Sequence, residues 1–529
     1  PYQGYYLSSE MTTSISCSKG LKFISPYKTP LKWKFSEAPQ DMRATDGLAA
    51  FDPALKNRIV QTWQRKHGGY DGVKQMLNGY DRYYSGKSRM SKEVLADWLQ
   101  AREDANSLWH TGMKVGVASV TSYSPKKSNS GLPHLANRIE ILPTIIEEAA
   151  ALAFHIQNSP EKSFEEYLSP PVVPFMKGMP APIWKGIKTR AVWCFPAAIT
   201  ALENMFGGPL YAHLLRYRDT YNLPLMHGVG AFNKARGLCR SVDVGQGLRV
   251  TDYVKGDQQI PPHMLRDAFE DMGRHLDFRR YKGRTVSEEQ GRKNKRLFDY
   301  VAWYFINTPI VVEDILYRKS GGIPSGSLFT LLIWSFVNVR VNCYLTRNVE
   351  KRCLQKGELA VCGDDNASIV KTPGLKMRDF NISSEKIGIK FHAYPKSGFE
   401  YWPNHQNLQT LSTNYYDPAA LVRNEDDLFA RMIFPPKWIP NREESVARVF
   451  MLTMSTCKTM PRLAAFAKFY FLWKPVDLRR PIYTDKDINK YFRYVLDVPW
   501  LMFPPVSTVY DVAKVYFNDV KWALSLICI

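Results

Sequence analysis

Residues 360–370 read "AVCGDDNASIV": β-prone runs on either side of a glycine and two adjacent carboxylates. The flanks predict strands and the centre predicts a turn, so the segment is expected to fold as a hairpin with Asp364 and Asp365 at its tip. Adjacent carboxylates repel each other and sit poorly between apolar strands. A Gly-Asp-Asp turn can be selected for its backbone preferences alone. The sharper reading is a metal site, because hard divalent cations take carboxylate oxygens and cancel the repulsion. That reading requires a further carboxylate at the end of a neighbouring strand.

"RVTDYVKGDQQIPPHML" (249–265) supplies one. "GLRVTDY" is expected to be a strand that ends at Asp252, and Asp257 follows five residues later. Asp252, Asp364 and Asp365 can hold two Mg²⁺ ions about 4 Å apart, with Mn²⁺ as a substitute, an arrangement suited to in-line phosphoryl transfer. Asp257 lies beyond the metal set, where a carboxylate can accept a hydrogen bond from a ribose 2′-OH.

Between the acids lies "SGGIPSGSLFTLLIWSFVN" (320–338). Its glycines, Gly326 among them, make a loop that lets backbone approach a ligand closely. A buried helix is expected from about Leu328, with Thr330, Trp334 and Asn338 spaced four apart on one face. Thr330 and Asn338 either bond backbone carbonyls or join Ser325 and Asp257 in sensing a sugar. Upstream, "KGIKTRAVW" (185–193) carries Lys185, Lys188 and Arg190. On an extended chain Lys188 and Arg190 point the same way, which suits a triphosphate, although a solvated basic strand has the same pattern.

The 529-residue chain carries 71 Lys and Arg against 50 Asp and Glu, a net charge of +21. An excess of that size points to a polyanionic partner. Its length favours several subdomains, and 45% apolar residues supply a large core. The eight cysteines show no C-x-x-C pair or zinc-finger spacing, so they are expected to be free thiols in a reducing compartment. The longest apolar run, "LFTLLIWSFVNV", has 12 residues, too few for a membrane-spanning helix. No charged-then-apolar signal opens the sequence. It begins at Pro1, so at least an initiator methionine is expected ahead of it.

Secondary structure is legible at several further places. "SKEVLADWLQAREDANSLW" (91–109) predicts a helix capped by Ser91, with Val94, Leu95, Trp98 and Leu99 on one face. The proline-rich 168–193 segment is expected to be extended. Residues 279–296 form a polar insert with eight basic and two acidic residues. The last 120 or so residues are expected to be mostly helical, ending in an amphipathic helix capped by Ser507.

In order, these motifs resemble those of a viral RNA-dependent RNA polymerase. The resemblance is first to the small polymerases of segmented double-stranded RNA viruses of the picobirnavirus kind, and second to those of partitiviruses. "NSGLPHL" resembles the template-guiding loop, "GIKTRAVW" the basic nucleotide-guiding motif and "DYVKGDQQIP" the first catalytic motif. "GGIPSGSLFT…N", "CGDDN" and "HAYPKSGFEYW" resemble the three that follow. Together they span about residues 120–405.

The resemblance implies an α+β right-hand fold of fingers, palm and thumb, with an antiparallel palm sheet and an N-terminal extension closing the hand. The implied segments are 1–110 for the extension, 111–245 for fingers, and 246–270 for the first palm motif. A fingers insert follows at 271–318, the remaining palm at 319–405, and thumb with C-terminal segment at 406–529. The implied metal ligands are Asp252 and Asp364, with Asp365 in support, and Lys396 is the implied general acid to pyrophosphate, with Lys386 and Lys390 competing. Lys185, Lys188 and Arg190 would hold the triphosphate. Asp257, Ser325, Thr330 and Asn338 would read the sugar, Gly326 would join the nucleotide-binding site, and Ser130 and Gly131 would touch template. Implied partners are single-stranded RNA template, NTPs, nascent RNA duplex and a viral capsid protein, with no membrane. The implied location is the virion interior and host cytoplasm.

Two positions depart from the family pattern. Trp334 stands where relatives often carry Asn or Asp, and Gly256 stands where many carry a bulky apolar residue before the sugar-reading Asp. Three alternatives remain at this point: a reverse transcriptase, an RNA-binding or capsid-associated protein with a fortuitous GDD, and a two-metal nuclease.

Overall fold

A computed structural model describes residues 20–28, 40–66, 73, 76–79, 90–125, 127–167, 169–186, 188–227, 231–394, 396–410, 413–414, 424–436, 438–454 and 461–473. At its centre is a four-stranded antiparallel sheet in the order Leu359–Cys362, Asp365–Val370, Gly247–Val250, Gly398–Tyr401. Alternation assigns its faces. Ala360, Ala367, Ile369, Leu248 and Val250 share one apolar cluster with Leu238 and Cys239 of the Ala231–Arg240 helix. Leu359, Val361 and Val370 join the main core on the other side.

Register decides where the acids emerge. Ala367 lies opposite Val250 in an antiparallel pair. Continuing that register brings Asp252, two residues beyond Val250, level with the start of the Asp365–Val370 strand. The predicted strand thus ends at Val250, and Asp252 lies just past it.

The Thr330–Leu345 helix crosses beneath this edge. Every residue from Leu332 to Leu345 is buried, as expected of a helix that is apolar all round. It packs on the Lys92–Trp109 and Pro262–Gly273 helices and on the Leu359–Cys362 strand. Ser91 caps the Lys92–Trp109 helix as predicted, accepting from the Val94 N–H. The predicted face needs correction: Leu95 and Leu99 are exposed. The buried stripe is Val94, Trp98, Ala101, Ala105 and Leu108, because small alanines let the central helix approach closely.

The proline-rich segment is extended and also paired. Val173–Met179 and Lys188–Cys194 form a continuous antiparallel ladder. The polar 279–296 insert is more ordered than its composition implies. Arg279–Tyr281 end one strand, Arg284–Thr285 pair back on it, and Ser287 caps a helix over Glu288–Ile306.

A second core joins the two ends of the described chain. Ala44, Leu48, Leu55 and Ile59 pack with Leu428, Phe429, Val446, Leu463 and Phe466. Arg65 extends this junction, donating from Nε to the Gly178 carbonyl at 2.7 Å and from Nη1 to the Phe434 carbonyl at 2.7 Å. Helices at Glu425–Ile433, Arg442–Met454 and Pro461–Trp473 bear out the helical expectation there. The predicted helix after Ser507 lies outside the described residues. Among the described residues, no helix is long and apolar enough to cross a membrane. Cys194, Cys239, Cys343, Cys353 and Cys362 are free thiols.

Candidate active site

Gly363 and Asp364 form the two-residue turn of the acidic hairpin, closed by the Cys362–Asp365 pair. Gly363 adopts φ +63°, a conformation in which a side chain is strained. Three side chains fix the turn. Ser335 Oγ accepts from the Gly363 N–H at 3.1 Å. Asn338 Nδ2 donates to the Gly363 carbonyl at 2.8 Å and to the Asp365 carbonyl at 3.3 Å. Asn366 Nδ2 donates to the Thr251 hydroxyl at 2.7 Å, tying the hairpin to the residue before Asp252.

Asp252 is held through its backbone. Its N–H donates to Ser397 Oγ at 2.9 Å, and its carbonyl accepts from the His392 N–H at 2.8 Å. Lys396 Nζ lies 3.5 Å from Asp252 Oδ2. Lys386 reaches Asn348 instead, and Lys390 is exposed. Lys396 is therefore the one of the three that meets a candidate ligand.

The carboxylates feel one another. Burial, and then the charge of Asp252, raise Asp364 above the usual carboxylate range. Burial, and then the charge of Asp364, push Asp257 up to about 6. Arg190 pulls both the other way, so the basic strand faces the acids across the cleft. Lys188 opens that strand, but its side chain lies outside the described residues. Lys185 is exposed in the Ile183–Lys185 turn between the two strands.

This concentration of negative charge fits a divalent cation. Among the described residues, no three His, Cys, Asp or Glu side chains converge as a complete metal cage. Mg²⁺ needs none, since it keeps waters and takes one or two carboxylates with substrate phosphates. Asp252 and Asp364 offer such a pair.

The loop before the central helix is built for close contact. Gly326 lies against the basic strand so tightly that a Cβ there would be 1.5 Å from the Trp193 carbonyl oxygen. Ser325 Oγ donates to the Ala191 carbonyl at 3.0 Å. Thr330 Oγ1 donates to the Pro324 carbonyl at 2.5 Å and to the Ser327 carbonyl at 2.8 Å. Asn338 is fully buried, and its Oδ1 accepts from Tyr253 OH at 2.9 Å. The donor hydrogens of Ser325, Thr330 and Asn338 are thus committed to the protein. This corrects the expectation that Asn338 faces a sugar: it braces the acidic turn from below.

Ser130 and Gly131 also need correction as template contacts. Ser130 is buried, with its Oγ accepting from the Ala136 N–H at 3.0 Å. A Cβ on Gly131 would meet the Phe195 carbonyl at 2.7 Å. Both residues shape the loop, while Lys127, Ser128, Asn129, Pro133 and His134 are exposed.

Two supporting residues carried no sequence reading. Glu203 is wholly buried in the Ala197–Tyr217 helix, accepting from Ser327 Oγ at 2.6 Å and the Leu328 N–H at 2.8 Å. Burial pushes its carboxyl up to about 7. Lys319 is equally buried, and its ammonium donates among the carbonyls of Phe305, Ile306, Gly321 and Gly322 at 2.7–3.3 Å. Both lock the glycine-rich loop to the surrounding helices. The signal of Glu203 in sequence is a lone charge amid apolar neighbours, whereas Lys319 follows Arg318 and does not stand out.

An antiparallel sheet with two carboxylates at one edge, beside a basic strand, suits metal-assisted nucleotidyl transfer. The chain belongs to the viral RNA-dependent RNA polymerases: that family's description matches residues 40–427. The RNA-directed RNA polymerase of Cryptosporidium parvum virus 1 (strain KSU-1) is 23% identical over 235 residues. That match covers 44% of this chain and 41% of the relative, so less than half of the relative's length is represented. In fold, the chain is similar to the crystal structure of a human picobirnavirus RNA-dependent RNA polymerase. The TM-score is 0.60 at 16% identity, over 90% of this chain and 88% of that one. An insertion-loop deletion mutant of a human picobirnavirus polymerase gives 0.58 at 15% identity, over 95% and 93%.

Proposed function

We propose that this chain copies single-stranded RNA by adding NTPs to an RNA 3′-OH, serving genome replication and transcription of a double-stranded RNA virus. The observation that carries the reading is the pairing of Asp252 with Asp364. They lie just beyond the ends of neighbouring strands of one sheet, at the same edge, and the charge of Asp252 adds to burial in raising Asp364.

In the reaction, the 3′ oxygen bonds to the α-phosphorus of the NTP as the bond to the pyrophosphate oxygen breaks. Asp252 and Asp364 would hold two Mg²⁺ ions, or Mn²⁺ in their place, with Asp365 in support. Bound there, the ions supply a lower pKa for the 3′-OH and charge for the leaving pyrophosphate. Arg190, with Lys188 and Lys185, steers the triphosphate into line. Asp257 accepts the ribose 2′-OH. Lys396, drawn to Asp252 in the free protein, protonates the departing pyrophosphate. Gly326 admits the loop against the basic strand, with Ser325 and Thr330 holding its shape.

The proposed architecture is a right hand. Residues 1–110 bridge fingers and thumb, a role supported by the shared core of the end segments and by the two bonds of Arg65. Fingers would comprise 111–245 with the 271–318 insert, palm 246–270 and 319–405, and thumb 406–529. The net charge of +21 suits template, NTP and product duplex, all polyanions. A capsid protein is the expected protein partner, and the virion interior and host cytoplasm the expected locations.

The test is incorporation of radiolabelled NTP on a defined single-stranded RNA with Mg²⁺. Asp364→Asn and Asp252→Ala should abolish addition while RNA binding persists, and EDTA should do the same. Binding lost in parallel would make the carboxylates structural. Preference for dNTPs would favour a reverse transcriptase, and RNA degradation without NTPs a nuclease.

A further inference from the structure

Trp334 and Gly256, the two departures noted in the sequence, touch each other. A Cβ placed on Gly256 would lie 2.6 Å from Trp334 Cζ2, 3.1 Å from its Cη2 and 2.9 Å from Tyr253 Cβ. The backbone of Gly256 does not have a positive φ, so space rather than conformation demands glycine. Bulk absent from the loop is thus present on the helix.

Trp334 stands between both acid-bearing turns. On one side it meets Gly256, the neighbour of Asp257, and packs on the ring of Tyr253 with centroids 4.8 Å apart and the planes tilted by 50°. On the other, its Cδ1 lies 3.7 Å from where a Cβ of Gly363 would be, next to Asp364. It is 6% exposed. One turn further along the helix, Asn338 bonds both Tyr253 OH and the Gly363 carbonyl. The Asp257 turn is also pinned from behind, since the Ile323 N–H donates to the Asp257 carbonyl at 2.7 Å.

The indole leaves no amide at this helix position to help read a sugar. The donor hydrogens of Ser325, Thr330 and Asn338 go to protein carbonyls, so within this set Asp257 supplies the charged acceptor. Its selectivity then depends on where the Gly256–Asp257 peptide is held. We propose that Trp334 and Gly256 form a reciprocal size pair that positions Asp257, and that this pair sets the ribonucleotide preference of the chain. Trp334 is a positioning residue that acts through Asp257. The inference rests on the polymerase reading above.

The magnitude follows from geometry. Relieving a 2.6 Å contact to ordinary van der Waals separation moves the peptide or ring by about 1 Å, and misplacement of that size costs up to about 100-fold. Gly256→Ala should therefore lower the ratio of kcat/KM for NTP over dNTP by about 10- to 100-fold. Trp334→Phe removes the benzo atoms Cζ2 and Cη2 that crowd position 256. The double variant Gly256→Ala/Trp334→Phe should return to within about threefold of the parent ratio, a non-additive rescue.

Asp257→Ala should abolish the preference in every background and make position 256 irrelevant to it. Thermal midpoints and RNA affinity of each variant report folding separately. A Gly256→Ala ratio within about twofold of the parent overturns the pairing, as does a double variant no better than Gly256→Ala. Loss of folding in Gly256→Ala that Trp334→Phe does not repair overturns it too. A parent protein that incorporates no nucleotide under any condition would instead sink the polymerase reading itself.

Discussion

Glu203 should make stability fall as pH rises. Its carboxyl moves from an ordinary 4.5 up to about 7, chiefly through burial, against the pull of Ser327, Leu328 and the Arg138 charge. Between those two values the folded protein holds a proton that the unfolded chain has released. A raised carboxyl pKa therefore contributes stability that is complete below pH 4.5 and is lost as pH climbs through 7. At about 1.36 kcal/mol per pKa unit, the swing is about 3 kcal/mol. Glu203→Gln keeps an acceptor for the Leu328 N–H and a donor for Ser327 Oγ but cannot ionise. Relative to the parent, it should gain nothing below pH 4.5 and approach a gain of about 3 kcal/mol above pH 7. The assay is the difference in thermal midpoint between variant and parent from pH 4.5 to 8.5. Other titrating groups, Asp257 among them, are common to both proteins and cancel. A difference that stays constant with pH would refute the reasoning.

Further perturbations test the loop and the turn. Gly326→Ala puts a methyl 1.5 Å from the Trp193 carbonyl; no rotamer relieves a Cβ clash with backbone, so NTP incorporation should fall by about 100-fold or more while RNA binding holds. Lys319→Met keeps the length but removes the donor to the Gly321 and Gly322 carbonyls, while Phe305 and Ile306 keep the Thr308 hydroxyl and the Gly321 N–H; it should cost about 3 kcal/mol in thermal or denaturant unfolding. Asn338→Ala should lower kcat for NTP and dNTP alike and leave their ratio unchanged, because its bonds go to the acidic turn; a changed ratio would restore it to the sugar-reading set.

Much of the site was legible because acids stand out against apolar strands. Asp252 follows an alternating run, "LRVT", and Asp364 a short continuous apolar run, "LAVC", and both patterns mark strands. Asn366, Thr251 and Ser335 were less visible. Each is a small polar residue whose importance comes from a partner distant in sequence, such as the Asn366–Thr251 bond. Ser325 and Thr330 showed the same ambiguity from the other side. Sequence marks a hydroxyl near a helix start but cannot tell a ligand from a carbonyl as its acceptor. Glu203 is different, because its signal was present: "AAITALENMFGG" offers no polar face to hold an acid. A lone charge on such a helix must find a buried partner or lose its ionisation.

Gly256 and Trp334 show why a departure from a family pattern is best weighed in pairs. Taken singly, a glycine before Asp257 suggests a loosened loop, and a tryptophan on the helix suggests a lost polar contact. In contact they are one feature, since interiors are close-packed and volume removed on one side must be supplied from the other. Their separation of 78 positions hides this from any local window. Exchange of bulk also predicts an asymmetry. Enlarging position 256 meets a rigid ring, backed by Tyr253, and is costly. Shrinking position 334 opens a gap that the surrounding side chains can fill in part. Trp334→Phe alone should thus disturb the NTP preference by only about threefold, well below the effect of Gly256→Ala. Kinetics of the two single variants, compared on one template, measure that asymmetry; equal losses would mean that the ring, rather than the space it fills, is what Asp257 requires.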